Sequence, residues 1–466
     1  MDTFVYKDHK KLRCGYTTGT CAALAAQGAV RFLLTGSWKE TEEIMTPKGI
    51  PVCVSLEEKT SGDSWAECAV RKDAGDDYDV TNGILVYARA EFVKDKNFYE
   101  KVQMSHLESS GFGAAGEKPG LSPENQKQQK KANAAHQKEA LPESLVRIDG
   151  GIGIGRITKS GLDQPVGAAA INSVPRKMIR DAVYELLEEA GELRLVSITI
   201  SVPAGVEAAK KTFNPVLGIE GGISVLGTSG IVEPMSEEAL VETIRTHLNV
   251  LKAEGRKWVI AVPGNMGAGF LERYLVEHGK FCTDAHQGSN AADTDAAVEA
   301  EQMAYGELST ETEPSLLEGF MNSLVTMSNF VGKTIDLAAE LGFSGILIAG
   351  HMGKLVKIGN GIMNTHSREA DGRMDTMLSC ALSAGTEDLE LLRKIQRSNT
   401  TDDLKQAGII EDTINVFLKR ADWHLTHRSR DEVRTGMIVF GTKGEYLGET
   451  EGADAILRSA LKELDQ

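Results

Sequence analysis

Trp258-Val259-Ile260-Ala261-Val262 is a short, unbroken apolar run that passes directly into Pro263-Gly264-Asn265-Met266-Gly267-Ala268-Gly269. An apolar run of that length, closed by a glycine turn and followed by a helical stretch from Phe270 to His278, reads as a buried strand, a turn and a helix. The order then returns: a helix over Phe330–Leu341, a strand over Gly345–Ala349, and the turn Gly350-His351-Met352-Gly353-Lys354. Apolar strands alternating with helices predict a parallel α/β sheet. Ligands of such sheets bind beyond the carboxyl ends of the strands, so both glycine turns are expected on one side. Met437–Phe440, Gly441-Thr442-Lys443-Gly444 and Glu445–Leu447 read as a hairpin before a final helix.

The first half has another rhythm. In Arg194–Pro203, Val196, Ile198, Ile200 and Val202 alternate with Ser197, Thr199 and Ser201, the pattern of a half-buried strand in an antiparallel or mixed sheet. Thr20–Thr35 reads as an Ala-rich helix stopped by Gly36 and preceded by Gly15-Tyr16-Thr17-Thr18-Gly19. Such a start suits an anion, and equally an ordinary helix cap. A second helix opens at Pro175, keeps Met178, Ile179, Val183, Leu186, Leu187 and Ala190 on one face, and stops at Gly191. Ser236 followed by two glutamates reads as a new helix start. The expected domains are therefore 1–235, α+β, and 236–466, α/β. Residues 105–142, rich in Gln, Lys, Ala and Gly without apolar period, read as a solvated or disordered insert. Thr283–Glu318 reads as an exposed acidic segment.

At 466 residues, 41% hydrophobic and 25% charged, the chain has the composition of a globular protein. No apolar run approaches the ~20 residues that span a bilayer. The start MDTFVYKDHKKLRCGYTTGT carries no secretory hydrophobic core, which predicts a cytoplasmic protein. The six cysteines are scattered and read as reduced thiols. A net charge of −16 argues against nucleic acid as a partner. Homo-oligomerisation stays open.

Against that acidic background, positive charge gathers near glycine. Between Arg147 and Arg180 stand Arg147, Arg156, Lys159, Arg176, Lys177 and Arg180, against only Asp149 and Asp163, around Gly150-Gly151-Ile152-Gly153-Ile154-Gly155. Glycine admits close backbone approach and these cations pair with carboxylates, so a site for an anionic small molecule is expected. Cations in the first turn of the Pro175 helix oppose its dipole unless an anion docks there. Gly350–Arg373 adds His351, His366, Lys354, Lys357, Arg368, Arg373 and Asp371, the makings of a polar ligand pocket. Neither histidine has partners at metal-ligand spacing, so no protein-bound metal is expected. The G-x-G-x-G spacing is not the dinucleotide fingerprint, and neither a P-loop nor a G-x-S-x-G elbow occurs.

Five segments carry a resemblance: GYTTGTCAALAA from Gly15, DGGIGIGRITKSGLDQPVGAAAINSVPRKMI from Asp149, KKTFNPVLGIEGGISVLGTSGIVEPMSEEAL from Lys210, SNFVG from Ser328, and GHMGKLVKIGNGIMNTHSREADGR from Gly350. In order and wording they resemble the cobalt-precorrin-5B C(1)-methyltransferase family, the CbiD type, with departures at Cys14, at Ala168-Ala169-Ala170 and in the 105–142 insert. The resemblance implies an N-terminal α+β domain like the second domain of ribosomal protein S5, joined to a Rossmann-like domain. It implies methyl transfer from S-adenosyl-L-methionine to C-1 of a cobalt-bound tetrapyrrole in oxygen-independent cobalamin synthesis.

For that chemistry, Gly264, Asn265, Gly267, Gly269, Gly350 and Gly353 are the expected cofactor cradle. Thr17, Thr18, Thr20, Arg156, Arg176, Lys177, Lys210, Lys211, Lys354, Lys357, Arg368 and Arg373 are expected to meet a polycarboxylate substrate. His351, His366 or Asp371 is expected to take a proton. Two other readings stay open: a GHMP-like small-molecule kinase, from the small-residue run Thr17–Ala23, and a non-catalytic tetrapyrrole carrier.

Overall fold

A computed structural model describes residues 3–7, 9–93, 145–277, 314–401, 403 and 411–464. The 105–142 insert, His278 and residues 283–313 of the acidic segment lie outside the described residues. The chain is mixed α/β and divides into two compact units, Met1–Lys159 with Asp163–Ser236, and Ser160–Leu162 with Glu237–Gln466.

In the first unit, strands Glu57–Ser61 (β1), Trp65–Arg71 (β2), Leu85–Phe92 (β3), Val146–Gly150 (β4) and Val196–Ser201 (β5) form one sheet, in the order β1-β2-β3-β5-β4. Strand β5 runs antiparallel to β3, with Val196 opposite Phe92, and parallel to β4, with Val196 opposite Val146. Its Val196, Ile198 and Ile200 are buried while Ser197, Thr199 and Ser201 are half-exposed, so one face of the sheet is packed. Helices Thr18–Thr35 (α1) and Ser173–Ala190 (α2) pack on each other and share a core with the sheet. Alanines at 22, 23, 25, 26 and 29 of α1 are fully buried, which lets the helix sit close to β2 and β3. Gly36 and Gly191 end the two helices in left-handed conformations, as their positions in the sequence predict.

The second unit is built on the stretch from Trp258. Strands Trp258–Val262 (β6), Val325–Thr326 (β7), Gly345–His351 (β8), Arg434–Phe440 (β9) and Tyr446–Glu449 (β10) form a sheet in the order β7-β6-β8-β9-β10. The first three pairings are parallel, and β9 and β10 form an antiparallel hairpin at the edge. Its helices include Glu237–Ala253 (α3), Asn265–Glu277 (α4), Val331–Glu340 (α5), the single turn Met352–Leu355 (α6), Arg373–Ser383 (α7), Leu389–Arg397 (α8), Glu411–Ser429 (α9) and Ala453–Leu464 (α10). Successive strand residues point to opposite faces. Val259, Ala261, Ile346, Ile348, Met437 and Val439 accordingly join one core with α3, α5, α7 and α9. Ile260, Val262, Leu347, Ala349, Ile438 and Phe440 join a second core with α4 and α10. Both faces are covered, which is why these strands read as continuous apolar runs. Among the described residues no helix is long and apolar enough to cross a membrane.

Candidate functional site

Because β6 and β8 are parallel neighbours, with Ala261 opposite Ile348, the two glycine turns leave the sheet side by side. A Cβ on Gly350 would meet Leu355 Cδ1 at 2.9 Å and Pro263 Cγ at 3.1 Å, and one on Gly267 would meet the Ala349 carbonyl oxygen at 2.9 Å. These two glycines let the first turn of α4 and the turn after β8 close against the strand ends. Gly264 and Gly269 behave differently: a Cβ on either meets nothing within 4 Å. They border open space beside exposed Asn265. No acidic residue occupies the first turn of α4, so its amide dipoles are not already satisfied by a carboxylate there.

His351, at the end of β8, bridges this crevice to the hairpin turn. Its Nδ1 accepts the Gly353 N–H at 3.0 Å, and its Nε2 lies 2.9 Å from Thr442 Oγ1. An amide N–H can only donate, so Nδ1 is unprotonated. In the neutral ring Nε2 therefore carries the hydrogen and donates to Thr442. The Phe440 ring meets the imidazole edge-on at 5.8 Å between centroids. A Cβ on Gly353 would also lie 3.5 Å from Thr401 Oγ1, which places the turn after α8 at the same wall.

The other sequence-selected groups of this unit lie along 354–373. His366 Nδ1 accepts the Arg368 N–H at 3.1 Å. Asp371 holds Arg373 through both oxygens, at 2.5 and 2.9 Å, and that guanidinium keeps its carboxyl below the usual range. Arg368 pairs with Glu237. Lys357, only 3% exposed, donates to the carbonyls of Thr365 and Ala370 at 3.0 and 2.8 Å, so it staples the loop instead of facing solvent. Lys354 is half-buried, and burial alone lowers its pKa; no carboxylate pairs with it among the described residues.

In the first unit the threonines look inward. Thr17 Oγ1 caps α1 by accepting the Thr20 N–H at 3.2 Å, Thr20 Oγ1 donates to the Gly230 carbonyl at 2.6 Å, and Thr18 Oγ1 accepts the Leu226 N–H at 3.0 Å. They clamp the 226–230 loop to the helix start. Arg176 reaches back to three carbonyls, those of Ile171, Ile148 and Ala169, at 2.8, 2.9 and 3.3 Å. Its position in the first turn of α2 thus needs no anion. Arg156 pairs with Asp149 at 2.7 Å, Lys177 with Asp181 at 2.6 Å, and Lys210 with Glu207 at 2.7 Å, while Lys211 is exposed.

The glycine run at 150–155 also serves the chain itself. A Cβ on Gly153 would collide with the Val202 carbonyl oxygen, one on Gly151 with Ser201 Oγ, and one on Gly155 with Ile219. Gly205 and Gly222 in turn press on the Gly153 carbonyl. Backbone segments interdigitate here, and the φ of +76° at Gly153 lies in the left-handed region that favours glycine.

Thr442 and Thr401 escaped sequence reading. Nothing in Gly441–Gly444 marks it as more than a hairpin turn, and only the parallel register of β8 and β9, which sets His351 opposite Phe440, brings Thr442 to the imidazole. Among the described residues no three His, Cys, Asp or Glu side chains converge on a metal position.

The family models CbiD and CbiD, C-terminal domain match residues 5–129 with 126–234, and 364–451, respectively. A protein of Ruminiclostridium cellulolyticum named Cobalt-precorrin-5B C(1)-methyltransferase is 35% identical across 100% of both chains. Another of that name from Clostridioides difficile is 33% identical, covering 98% of this chain and 99% of its own. A crystal structure of the cobalamin biosynthesis protein (cbiD) from Archaeoglobus fulgidus is 21% identical over 79% of this chain and 87% of that one, with a TM-score of 0.33, too low to compare layouts. On the family models and the end-to-end relatives, the chain belongs to the CbiD family.

Proposed function

We propose that this chain methylates C-1 of cobalt-precorrin-5B with S-adenosyl-L-methionine, giving cobalt-precorrin-6A in oxygen-independent cobalamin synthesis in the cytoplasm. The end-to-end match with relatives that bear that activity in their names carries the reading. The order β7-β6-β8-β9-β10 supports a Rossmann-like second unit, and two helices on one face of a mixed sheet support an S5-like first unit.

The crevice suits the methyl donor. Gly264 and Gly269 leave room, Gly267 and Gly350 let the strand ends and α4 close around it, and exposed Asn265 offers polar groups at its edge, while the Gly353 N–H is spent on His351. Bound there, S-adenosyl-L-methionine supplies an electrophilic methyl group. The chain's task is then alignment, which contributes about 7–11 kcal/mol in well-oriented reactions.

Among the three groups selected as proton acceptors, His351 and His366 each use Nδ1 to receive a backbone N–H, and Asp371 is held ionised by Arg373. Their geometry favours holding the site over abstracting a proton. His351 offers Nε2–H and fixes the turn that presents Lys354. Of the selected cations of the second unit, Lys354 has no carboxylate partner among the described residues and is not spent on carbonyls as Lys357 is, so it best suits a carboxylate of the substrate. The inward-facing threonines of α1 leave the kinase reading without its phosphate loop.

Release of S-adenosylhomocysteine only when cobalt-precorrin-5B is added, under anaerobic conditions, tests the reading. Release that needs ATP, or pigment binding without release, contradicts it.

A further inference from the structure

A concavity of about 400 Å³ is lined by Glu390, Arg393, Lys394 and Arg397 of α8, and by Ser398, Asn399 and Asp403. We propose that Lys394 and Arg397 form a carboxylate-binding subsite for the acidic side chains of the tetrapyrrole. This rests on the function proposed above and names where that substrate is held.

Helix α8 is fixed in place from one side. Asp388 caps it, accepting the N–H groups of Glu390 and Leu391 at 2.9 and 3.2 Å, and Ile395 is fully buried in the core that underlies β8. Lys394 and Arg397 consequently stand on its outer side, both exposed. The two carboxylates of the concavity are already committed. Glu390 pairs with Arg393 at 2.9 Å, and Asp403 accepts the N–H groups of Asn399 and Thr400 at 3.2 and 2.9 Å. Lys394 and Arg397 have no carboxylate partner among the described residues. With Arg393, Lys394 and Arg397 against Glu390 and Asp403, the concavity holds three cations and two carboxylates, a positive balance in a protein whose net charge is −16.

Position gives this charge its meaning. Thr401, two residues beyond Asn399 and thus within about 7 Å of it, lies against Gly353 and the His351 turn. Arg397, four residues before Thr401, thus has its backbone within about 14 Å of the residue that touches the Gly353 turn. A ligand with one carboxylate engages one such point. A macrocycle bearing many acetate and propionate groups engages several at once, and a guanidinium beside an ammonium suits that load. Cations in the last turn of a helix also complement its dipole without any ligand, so the test must separate the two roles.

The full-length chain is titrated anaerobically with cobalt-precorrin-5B, without methyl donor, following tryptophan fluorescence; steady-state kinetics with both substrates follow. In Lys394→Gln/Arg397→Gln the Kd and KM for cobalt-precorrin-5B should rise about 5- to 20-fold, with kcat and the KM for S-adenosyl-L-methionine within about twofold. Arg397→Lys should stay near wild type, and added salt should weaken binding less in the double variant. Unchanged Kd, with only a shift in thermal stability, would mark the pair as helix-end charges and overturn the subsite. A rise confined to the KM for S-adenosyl-L-methionine would overturn it too, assigning the cations to the donor's carboxylate. A wild type that binds the pigment without methylating it contradicts the proposed function and leaves the Kd comparison decisive. Absence of binding by the wild type overturns both.

Discussion

His351 Nε2 and Thr442 Oγ1, 2.9 Å apart, tie the end of β8 to the turn after β9. With the Gly353 N–H on Nδ1, this bond fixes ring orientation and tautomer together. Thr442→Val removes one acceptor and leaves the ring half-held. It should raise the KM for S-adenosyl-L-methionine about 3- to 10-fold and cost about 1 kcal/mol of stability, with Thr442→Ser near wild type. Kinetics beside urea unfolding check this, and an unchanged KM in the valine variant contradicts a role for the bond in the crevice.

Gly264 and Gly267 stand three residues apart and should respond oppositely. Gly264→Val puts methyl groups into open space, so stability should stay within about 1 kcal/mol while affinity for S-adenosylhomocysteine falls at least ~10-fold. Gly267→Val drives the same bulk into Ala349 and Val262, at a cost of about 2–3 kcal/mol of folding stability. Calorimetric titration and denaturant melts separate the two. Full affinity in Gly264→Val would move the cradle elsewhere.

Arg176 and Lys177 are adjacent cations with different work. Replacing Arg176 by Gln strips donors from three carbonyls that join α2, β4 and the 169–171 loop, and should cost about 2–4 kcal/mol. Lys177→Gln removes an exposed i,i+4 pair and should change stability by less than about 0.5 kcal/mol. Equal effects in urea unfolding would refute the division of roles.

Thiol chemistry should follow burial. Burial pushes Cys21 and Cys68 up to about 12 from an ordinary value of 9.0, whereas Cys53 is exposed. Folded values above unfolded ones favour the native state fully below about pH 9, and that contribution is lost as pH rises from about 9 toward 12. Iodoacetamide at pH 8 should modify Cys53 in the native protein and reach Cys21 and Cys68 only after unfolding. Peptide mapping by mass spectrometry reads this directly, and native-state labelling of Cys21 contradicts the packing of α1.

Much of the second unit was legible because its signals are local. Apolar runs of strand length and glycine turns depend on neighbours a few residues away, as do the helix stops at Gly36 and Gly191 in the first unit. In the sheet of the first unit Val196–Ser201 was legible from its alternation, but Glu57–Ser61 has no apolar alternation and Trp65–Arg71 mixes alanine and cysteine with charge, so only their pairing, β1 with β2 and β2 with β3, reveals them. Glycine runs were ambiguous for a physical reason. A backbone that must approach closely looks the same in sequence whether the visitor is a ligand or another stretch of the chain, and at Gly153 it is the chain. Charge was ambiguous likewise, since the partners of Arg176 are carbonyls brought near only by folding.

The central claim is that this crevice delivers one methyl group to C-1 of a cobalt tetrapyrrole. Anaerobic incubation with cobalt-precorrin-5B and S-adenosyl-L-methionine carrying a ¹³C methyl, followed by product mass and ¹³C NMR, tests it most directly. The expected result is one added methyl group, labelled and bonded to C-1, with one S-adenosylhomocysteine released per product. An unchanged pigment mass, or label at another ring carbon, would contradict it.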